Sequence, residues 1–387
     1  MKAGWEVKQL GSLCEIIAGQ SPEGKYYNAA GMGMPFYQGK KDFGEKFIRE
    51  PTTWTTVTTK HARRGDILMS VRAPVGPVNV AIDDICIGRG LAAIRSGAQL
   101  NRDFLFYQLW SMQSEIAGKE GAVFASISKA DIGHIGVVAP SLPEQQRIVG
   151  ILDEAFDGIA TAKANAEKNL QNARALFESH LQSVFTQHGE GWKEKTLKQI
   201  AAEFGRGKSK HRPRGDVRLL GGKYPLIQTG DISNAEHWIV NYSQTYNEVG
   251  LAQSRLWPKG TICIAIVGAN VAETAILDFD ACFPDSVIGI VVNKQVADNE
   301  YVEYLLQSSK SVLKEKGKGT ARDNINLGTF ENQTFPIPKL AIQEEIVSKL
   351  NDLKEETQRL ESVYRQKLVA LEALKKSLLD QAFTGVL

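Results

Sequence analysis

A stretch of basic residues interleaved with glycine, proline and serine lies near the middle of the chain. It runs from Gly205 to Arg218 with the sequence GRGKSKHRPRGDVR. Lysine and arginine donate hydrogen bonds to phosphate oxygens, and arginine can also make two hydrogen bonds to the edge of a guanine. The composition leaves two interpretations open: an arm that contacts nucleic-acid phosphates, or a solvated loop.

Smaller polar clusters occur in both halves of the chain. In the second half, Gln228-Thr-Gly-Asp-Ile-Ser-Asn234 follows the basic stretch, and Gln38-Gly-Lys-Lys-Asp42 occupies the comparable place in the first half. Glutamine can bind the edge of an adenine, and lysine or threonine can bind a base or a phosphate. A further polar and aromatic cluster in the first half consists of Gln20, Ser21, Lys25, Tyr26 and Tyr27.

Motifs for catalysis are missing. The chain has no Pro-Pro pair, which an amino-methyltransferase would need to hold its target base. Pro284-Asp285 is followed by Val292-Asn-Lys294, where a metal-dependent nuclease would have an acidic residue two positions before the lysine. Gly207-Lys-Ser209 resembles the end of a P-loop, but Ala202 stands where that motif requires glycine. The sequence therefore predicts a protein without catalytic activity.

Bulk composition narrows the class further. A chain of 387 residues with 43% hydrophobic and 23% charged residues is expected to fold into two or more domains. The net charge of +2 is too small for binding to DNA by charge alone, so any nucleic-acid surface must be local. We expect no metal site, because no two of the four cysteines form a C-x-x-C pair. No apolar run has the length of a membrane span or signal peptide, and we expect a cytoplasmic protein without membrane contact.

The chain also repeats itself, which indicates a duplicated module. Six segments recur in the same order, with a spacing that grows from 187 to 198 residues. They are Trp5–Leu10 with Trp192–Leu197, Pro35–Gln38 with Pro225–Gln228, Arg64–Leu68 with Lys259–Cys263, Phe104–Tyr107 with Tyr301–Tyr304, Pro140–Val149 with Pro338–Val347, and Val184–Thr186 with Ala382–Thr384.

Each copy ends in a long segment with helical spacing of apolar residues. Ala341–Phe383 contains no proline or glycine, and its apolar positions recur every three or four residues, with Thr357 in the one gap. The counterpart, Glu144–Phe185, is richer in alanine. Two such helices would pair with each other, with Ala162, Ala166 and Ala173 facing larger residues such as Leu360, Tyr364 and Leu371. The alternative is that each helix lies on its own globular domain.

The sequence resembles the specificity subunits of type I restriction-modification systems over its whole length. The resemblance rests on Trp5–Gly11, Gly19–Pro22, Pro35–Lys40, Gly207–His211, Tyr224–Asp231, Gly319–Ile325, Leu142–Gln146, Ala341–Glu345 and Gln381–Leu387. It implies an α+β fold with two tandem target-recognition domains, separated by two long antiparallel helices with pseudo-twofold symmetry. The expected segments are a first target-recognition domain (1–141), a first helix (142–187), a second target-recognition domain (188–338) and a second helix (339–387).

The resemblance also implies partners. Each target-recognition domain would bind one half of a bipartite site in double-stranded DNA. Two methyltransferase subunits would dock along the helices, and restriction subunits would join for cleavage. This chain would need no cofactor, because S-adenosylmethionine and ATP would bind to the partner subunits. A coiled-coil scaffold without sequence-specific DNA binding is the alternative, although it leaves the two duplicated globular domains with basic loops unexplained.

Candidate DNA contacts follow from the polar clusters and the resemblance. In the first copy they are Ser21, Lys25, Tyr26, Tyr27, Gln38, Lys40, Lys41 and Arg72. In the second copy they are Arg206, Lys208, Lys210, His211, Arg212, Arg214, Gln228, Thr229, Asp231, Asn270 and Arg322.

Overall fold

The computed structural model describes residues 5–117, 126–187, 189, 191–211, 213–317, 325, 327–331 and 333–387. The chain divides into two compact units. The first unit contains residues 1–167 and 365–387, and the second contains residues 168–364. Within the described residues, no helix has the length and apolar character needed to cross a membrane.

The first unit is an α+β domain with three small sheets. Its strands are β1 (Val7–Gln9), β2 (Cys14–Ala18), β3 (Tyr27–Asn28), β4 (Met34–Tyr37), β5 (Trp54–Thr55), β6 (His61–Ala62), β7 (Ile67–Ser70), β8 (Val78–Val80), β9 (Ile85–Ile87), β10 (Leu91–Ser96) and β11 (Gly136–Val138). Its helices are α1 (Leu10–Leu13), α2 (Arg102–Ser111), α3 (Gln113–Ile116), α4 (Lys129–Gly133) and the start of α5 (Leu142–Thr186). The sheet orders are β1-β11, β2-β10-β7-β8 and β3-β5-β4-β9-β6.

The second unit repeats this plan. Its strands are β12 (Lys193–Thr196), β13 (Ala201–Arg206), β14 (Leu220–Leu226), β15 (Trp238–Ile239), β16 (Gln244–Tyr246), β17 (Leu256–Trp257), β18 (Ile262–Ala265), β19 (Thr274–Leu277), β20 (Ala281–Cys282), β21 (Val287–Val292) and β22 (Thr334–Ile337). Its helices are α6 (Leu197–Ile200), α7 (Thr229–Asn234), α8 (Glu248–Ala252), α9 (Asn299–Ser308), α10 (Lys310–Gly317), α11 (Leu327–Glu331) and the start of α12 (Leu340–Thr384). The orders β12-β22 and β13-β21-β18-β19-β15 correspond to the first two sheets of the first unit, with β15 added, and the third sheet is β16-β14-β20-β17.

The two long helices contribute to the core of both units. In the first unit, Ile148 and Leu152 of α5 share a core cluster with Leu379 and Ala382 of α12. In the second unit, the core includes Leu181 and Phe185 of α5 together with Val347 and Leu350 of α12. Each compact unit includes part of both long helices, so the two units do not test the division into four segments. That division stays a prediction.

The helices run antiparallel within each unit. In the first unit, Lys163 of α5 pairs with Glu372 of α12 at 2.7 Å. In the second unit, Arg174 pairs with Glu361 at 3.1 Å. Hydrogen bonding to Glu372 raises the pKa of Lys163 and lowers that of Glu372. Both pairs are exposed, so each contributes little to stability.

The predicted apolar stripe of α12 is wrong at two positions. Leu360 and Leu374 are 36% and 47% exposed, whereas Thr357 in the supposed gap is buried. Leu360 comes three residues after Thr357, and Leu374 comes three residues after Leu371. The residues four positions after Thr357 and Leu371 are Glu361 and Lys375, and their side chains are less exposed than the two leucines. Lys375 places its Nζ atom over the Trp110 ring, 4.4 Å from the ring centroid.

A buried glutamine at the start of each long helix holds equivalent loops. The side chain of Gln145 accepts from the Asn101 amide at 2.7 Å and donates to the carbonyls of Gln99 and Pro140 at 3.0 and 2.7 Å. Gln343 accepts from the Asp298 amide and donates to the carbonyls of Val296 and Pro338 in the same manner. The duplication detected in the sequence therefore extends to buried hydrogen bonds.

Replacing this glutamine should destabilise its unit. Gln145→Leu leaves one amide and two carbonyls without their side-chain hydrogen bonds, and we expect the free energy of unfolding to fall by roughly 2–5 kcal/mol. The neighbouring Gln146 is exposed, so Gln146→Leu is the matched control and should change little. Chemical denaturation of the full-length chain measures both. Equal effects of the two substitutions would contradict the assigned role.

A buried charged cluster attaches α12 to the second domain. His237 lies 2.6 Å from Glu303, which is fully buried, and 3.1 Å from Glu300. Asn351 of α12 donates to Glu300 at 3.0 Å and accepts from the Tyr304 hydroxyl at 2.6 Å. In the first unit, Asp153 of α5 instead accepts from Lys46 and from the hydroxyl of Tyr107.

This cluster makes stability depend on pH. Burial lowers the pKa of His237, but the adjacent carboxylates of Glu300 and Glu303 outweigh burial and raise the pKa above its ordinary value of 6.5. Burial also lowers the pKa of the nearby Lys354. A group whose pKa is raised by folding stabilises the fold fully below its unfolded pKa, and that stabilisation is lost as the pH rises through the folded pKa.

We therefore expect the free energy of unfolding to fall as the pH rises from about 6.5, where histidine titrates in unfolded chains. A tenfold difference in proton affinity between the folded and unfolded states corresponds to about 1.4 kcal/mol. His237→Gln should remove this slope in equilibrium unfolding, whereas replacement of the exposed His180 by glutamine should keep it. A slope unchanged in His237→Gln would refute the assignment.

Candidate nucleic-acid interface

In the first unit, a glycine-flanked turn brings two predicted contact residues together. The turn Gly88-Arg-Gly90 connects β9 to β10, and the Arg89 amide donates to the hydroxyl of Ser21 at 3.2 Å. A side chain at residue 90 would place its Cβ 2.4 Å from the Gln38 carbonyl oxygen, so this close approach requires glycine. Ser21 and exposed Gln38 thus lie against the same turn.

The remaining candidate DNA contacts of the first copy differ in how free their side chains are to bind a ligand. Lys40 and Lys41 are exposed in a single helical turn that follows Gln38. Lys25 is exposed but pairs with Glu23 at 2.6 Å, and its Nζ atom lies 5.0 Å from the centroid of the half-buried Tyr26 ring.

Tyr27 and Arg72 complete the first-copy set. The ring of Tyr27 stacks on Phe36 with 4.7 Å between centroids, and its hydroxyl donates to the Pro22 carbonyl at 2.8 Å. These contacts give Tyr27 a packing role. Arg72 is exposed just after β7 and forms an isolated β-bridge with Ser126.

In the second unit, the basic loop starts at a similarly tight approach. A Cβ at Gly207 would lie 2.2 Å from the Phe283 carbonyl oxygen. The exposed side chains of Arg206, Lys208 and Lys210 flank this glycine. Within the part of the chain that the structure describes, no ion pair neutralises any of these three cations, so their charges are available to a ligand.

The later part of the basic loop is charge-compensated. Arg214 pairs with Asp285, and the Nε2 atom of His211 lies 2.7 Å from the carboxylate of Asp216. Arg218 also hydrogen-bonds to Asp216, and this interaction holds the pKa of the aspartate well below its usual range. Arg212 and Arg322, both predicted contacts, lie outside the described residues.

The second polar cluster forms the start of a helix. The Asp231 carboxylate accepts from the Gln228 amide at 2.7 Å and thereby caps α7, which begins at Thr229. The side chain of Gln228 lies 3.4 Å from that of Gln244. Asn270 is half-buried in the turn before β19, where its carbonyl accepts from the Glu273 amide. Asp231 therefore has a structural role, as a cap of α7.

Arg89 was missed in the sequence. A signal for it exists, because Gly88-Arg-Gly90 repeats the Gly205-Arg-Gly207 pattern that begins the basic loop. Gly88, Gly90 and Gly207 pack closely against neighbouring backbone, and an exposed arginine lies beside the packed glycine in both patterns. For all predicted contact residues, binding to DNA stays a prediction.

Comparison with known proteins gives the family. The model of the type I restriction modification DNA specificity domain matches residues 2–171 and again 189–369. The chain belongs to this family of type I specificity subunits. The two matches also confirm the duplication.

Two curated relatives come from Methanocaldococcus jannaschii. The putative type I restriction enzyme MjaX specificity subunit is 40% identical over 174 residues, which cover 44% of this chain and 40% of that protein. The type I restriction enzyme MjaIX specificity subunit is 22% identical, covering 99% of this chain and 93% of that protein.

Two solved structures share the fold. A chain from a structural study of complex assembly in the type I R-M system has a TM-score of 0.79 at 17% identity, covering 99% of this chain and 98% of that one. The HsdS subunit from Thermoanaerobacter tengcongensis has a TM-score of 0.67 at 17% identity, covering 100% of this chain and 98% of that one.

The charge pattern of the basic loop predicts unequal effects of its cations on DNA binding. Each phosphate contact contributes about 0.9 to the slope of log K against log salt concentration. Lys208→Ala with Lys210→Ala should therefore lower the slope by about two units. Arg214→Ala should change it less, because Asp285 already binds this arginine. Titrations of duplex DNA at several salt concentrations measure the slopes, and an unaltered slope in the double variant would show that the loop does not contact phosphates.

Proposed function

We propose that the chain is the non-catalytic DNA-recognition subunit of a type I restriction-modification complex. In this proposal, the globular domain of each unit binds one half of a bipartite site in double-stranded DNA. Two methyltransferase subunits bind S-adenosylmethionine and act on adenine, and restriction subunits bind ATP and join for cleavage. Because its substrate is DNA of the host cell, we place the protein in the cytoplasm.

The observation that carries the proposal is a conserved scaffold with different polar loops. Gln145 and Gln343 make the same three hydrogen bonds, and Gly19 and Gly207 donate to equivalent carbonyls of Leu91 and Val287. On this common frame, the basic loop follows Gly207 where Gln20-Ser-Pro-Glu-Gly-Lys25 follows Gly19. The second domain has Gln228-Thr-Gly-Asp231 where the first has Gln38-Gly-Lys-Lys41. Rigid frames with variable loops are typical of recognition domains, and two different loop sets suit two different half-sites.

Methylation mapping tests the proposal directly. The chain expressed with its methyltransferase subunit should direct methylation to adenines in a single interrupted sequence, and the purified chain alone should transfer no methyl groups from S-adenosylmethionine. Methyl transfer by the chain alone would contradict a non-catalytic role. DNA binding without sequence preference, or no salt-dependent binding, would favour a scaffold.

Paired loop variants test the assignment of half-sites. Lys40→Ala with Lys41→Ala should weaken protection of one half-site, and Lys208→Ala with Lys210→Ala should weaken protection of the other. Each pair should lower affinity most at low salt, and the loss of affinity between roughly 50 and 200 mM salt should be about tenfold smaller than in wild type, as two lost phosphate contacts would produce. Footprinting on the mapped site measures the protection. Loss at the same half-site in both variants would refute one domain per half-site.

A further inference from the structure

Three cations of the first unit line one small cleft. Arg72, Arg89 and Lys129 are exposed and border a cavity of about 180 Å³. This volume is below the range of pockets for drug-sized ligands, which is about 300–1,000 Å³. The described residues that line the cleft include the hydroxyl residues Ser126 and Ser128 but no aspartate or glutamate. The cleft therefore suits a small anionic group.

Hydrogen bonds order the main chain at or beside each of the three cations. The Ser70 hydroxyl donates to the carbonyls of Arg72 and Pro74 at 3.2 and 3.0 Å. Arg89 is fixed by its amide hydrogen bond to Ser21 and by the flanking glycines. Lys129 is the first residue of α4, directly after a capping box.

None of the three cations, Arg72, Arg89 and Lys129, forms an ion pair within the described part of the chain. The acidic residue on α4, Asp131, accepts hydrogen bonds from the amide and hydroxyl of Ser128 instead. Three like charges around one cleft repel one another, and an anion placed between them would relieve that repulsion.

The duplicated frame identifies the equivalent positions in the second unit. The Val71 carbonyl accepts a hydrogen bond from the Ile127 amide, and the Val71 amide donates to the Gly90 carbonyl. In the second unit, Ile266 makes the same two hydrogen bonds, with the Ile325 amide and the Ser286 carbonyl. By this register, Arg72 corresponds to Val267, Arg89 to Asp285, and Lys129 to Leu327.

All three charges are therefore absent from the equivalent positions of the second unit. Asp285 binds Arg214 of the basic loop, so a protein cation lies there beside a carboxylate. In the first unit the cation Arg89 occupies the position of the anion Asp285, and no carboxylate among the described residues pairs with it.

We propose that the Arg72–Arg89–Lys129 cleft binds a backbone phosphate of DNA beside the first half-site. This inference rests on the proposed function and adds an asymmetry to it. The first domain holds the duplex at a preformed cleft, and the second holds it through the lysines of its basic loop. The chemistry recognised is a phosphodiester, irrespective of the base attached to it.

Exchange for neutral residues tests the cleft in the full chain assembled with its methyltransferase subunit. Arg72→Val with Arg89→Ser removes two positive charges, and the valine is the residue found at the equivalent position of the second unit. The control, Arg63→Ser with Arg64→Ser, removes two exposed arginines that precede β7, whereas Arg72 follows it. Thermal unfolding establishes that both variants are folded, and the single variant Lys129→Ala replaces the double variant if it is not.

The probe is duplex DNA carrying the mapped site, with single phosphates replaced in turn by neutral methylphosphonates. We expect wild type and control to lose affinity at one or two phosphates beside the first half-site. The cleft variant should be insensitive to the same replacements, with a salt slope smaller by about one unit, as the loss of one phosphate contact would produce, and by no more than that for Lys129→Ala.

The results separate the cleft from the proposed function. Steep salt dependence in wild type, with the same slope and methylphosphonate profile in the cleft variant, overturns the cleft and leaves the function standing. Equal losses in cleft variant and control also overturn it, because they would show a general charge effect. Absence of salt-dependent binding by wild type overturns the proposed function itself.

Discussion

The fold depends on the need of two long amphipathic helices to bury their apolar faces. Each is 45 residues long, and an isolated helix with such a face is unstable in water. The structure meets this need by placing both helices in the core of each unit. Leu152 and Leu379 are far apart in sequence but share one core, and Leu181 and Leu350 share the other. The core of each unit can therefore form only after the long helix at the end of the other sequence copy has been synthesised.

The two sequence-based alternatives for the helices thus describe one arrangement. The helices pair with each other inside each unit, as the contacts of Lys163 and Arg174 show, and each also packs against globular domains. The attachment differs between units: Lys46 and Tyr107 hold Asp153 in the first, whereas His237 and Glu300 act with Asn351 in the second. Duplicated geometry has been kept while the charges that stabilise it have changed.

Periodicity and internal repetition were sufficient to predict much of this fold. The helices expected from about 144 to 185 and from 341 to 383 are observed at Leu142–Thr186 and Leu340–Thr384. Finer detail was not predictable, because an apolar stripe drifts relative to a regular spacing and long charged side chains can cover it. Leu360 is exposed although it continues the stripe, and at position 375 a lysine lies over the Trp110 ring.

The candidate interface was harder to predict than the fold, because residue type does not reveal which hydrogen bonds a side chain makes. Asp231 looks like a polar loop residue but caps α7, and Tyr27 looks available for stacking but already stacks on Phe36. The same limit applies to Arg89, which the GRG pattern alone did not distinguish from a turn residue.

Net charge does not predict the position of a DNA-binding surface either, because +2 over the whole chain conceals strong local differences in charge. The second half of the basic loop is compensated by Asp216 and Asp285, whereas Lys208 and Lys210 are not paired among the described residues. Coulomb attraction to phosphate acts over about 10 Å at moderate salt, so we expect the local unpaired cations to determine where DNA binds. In the proposed function, two domains with one scaffold therefore hold DNA through different charges.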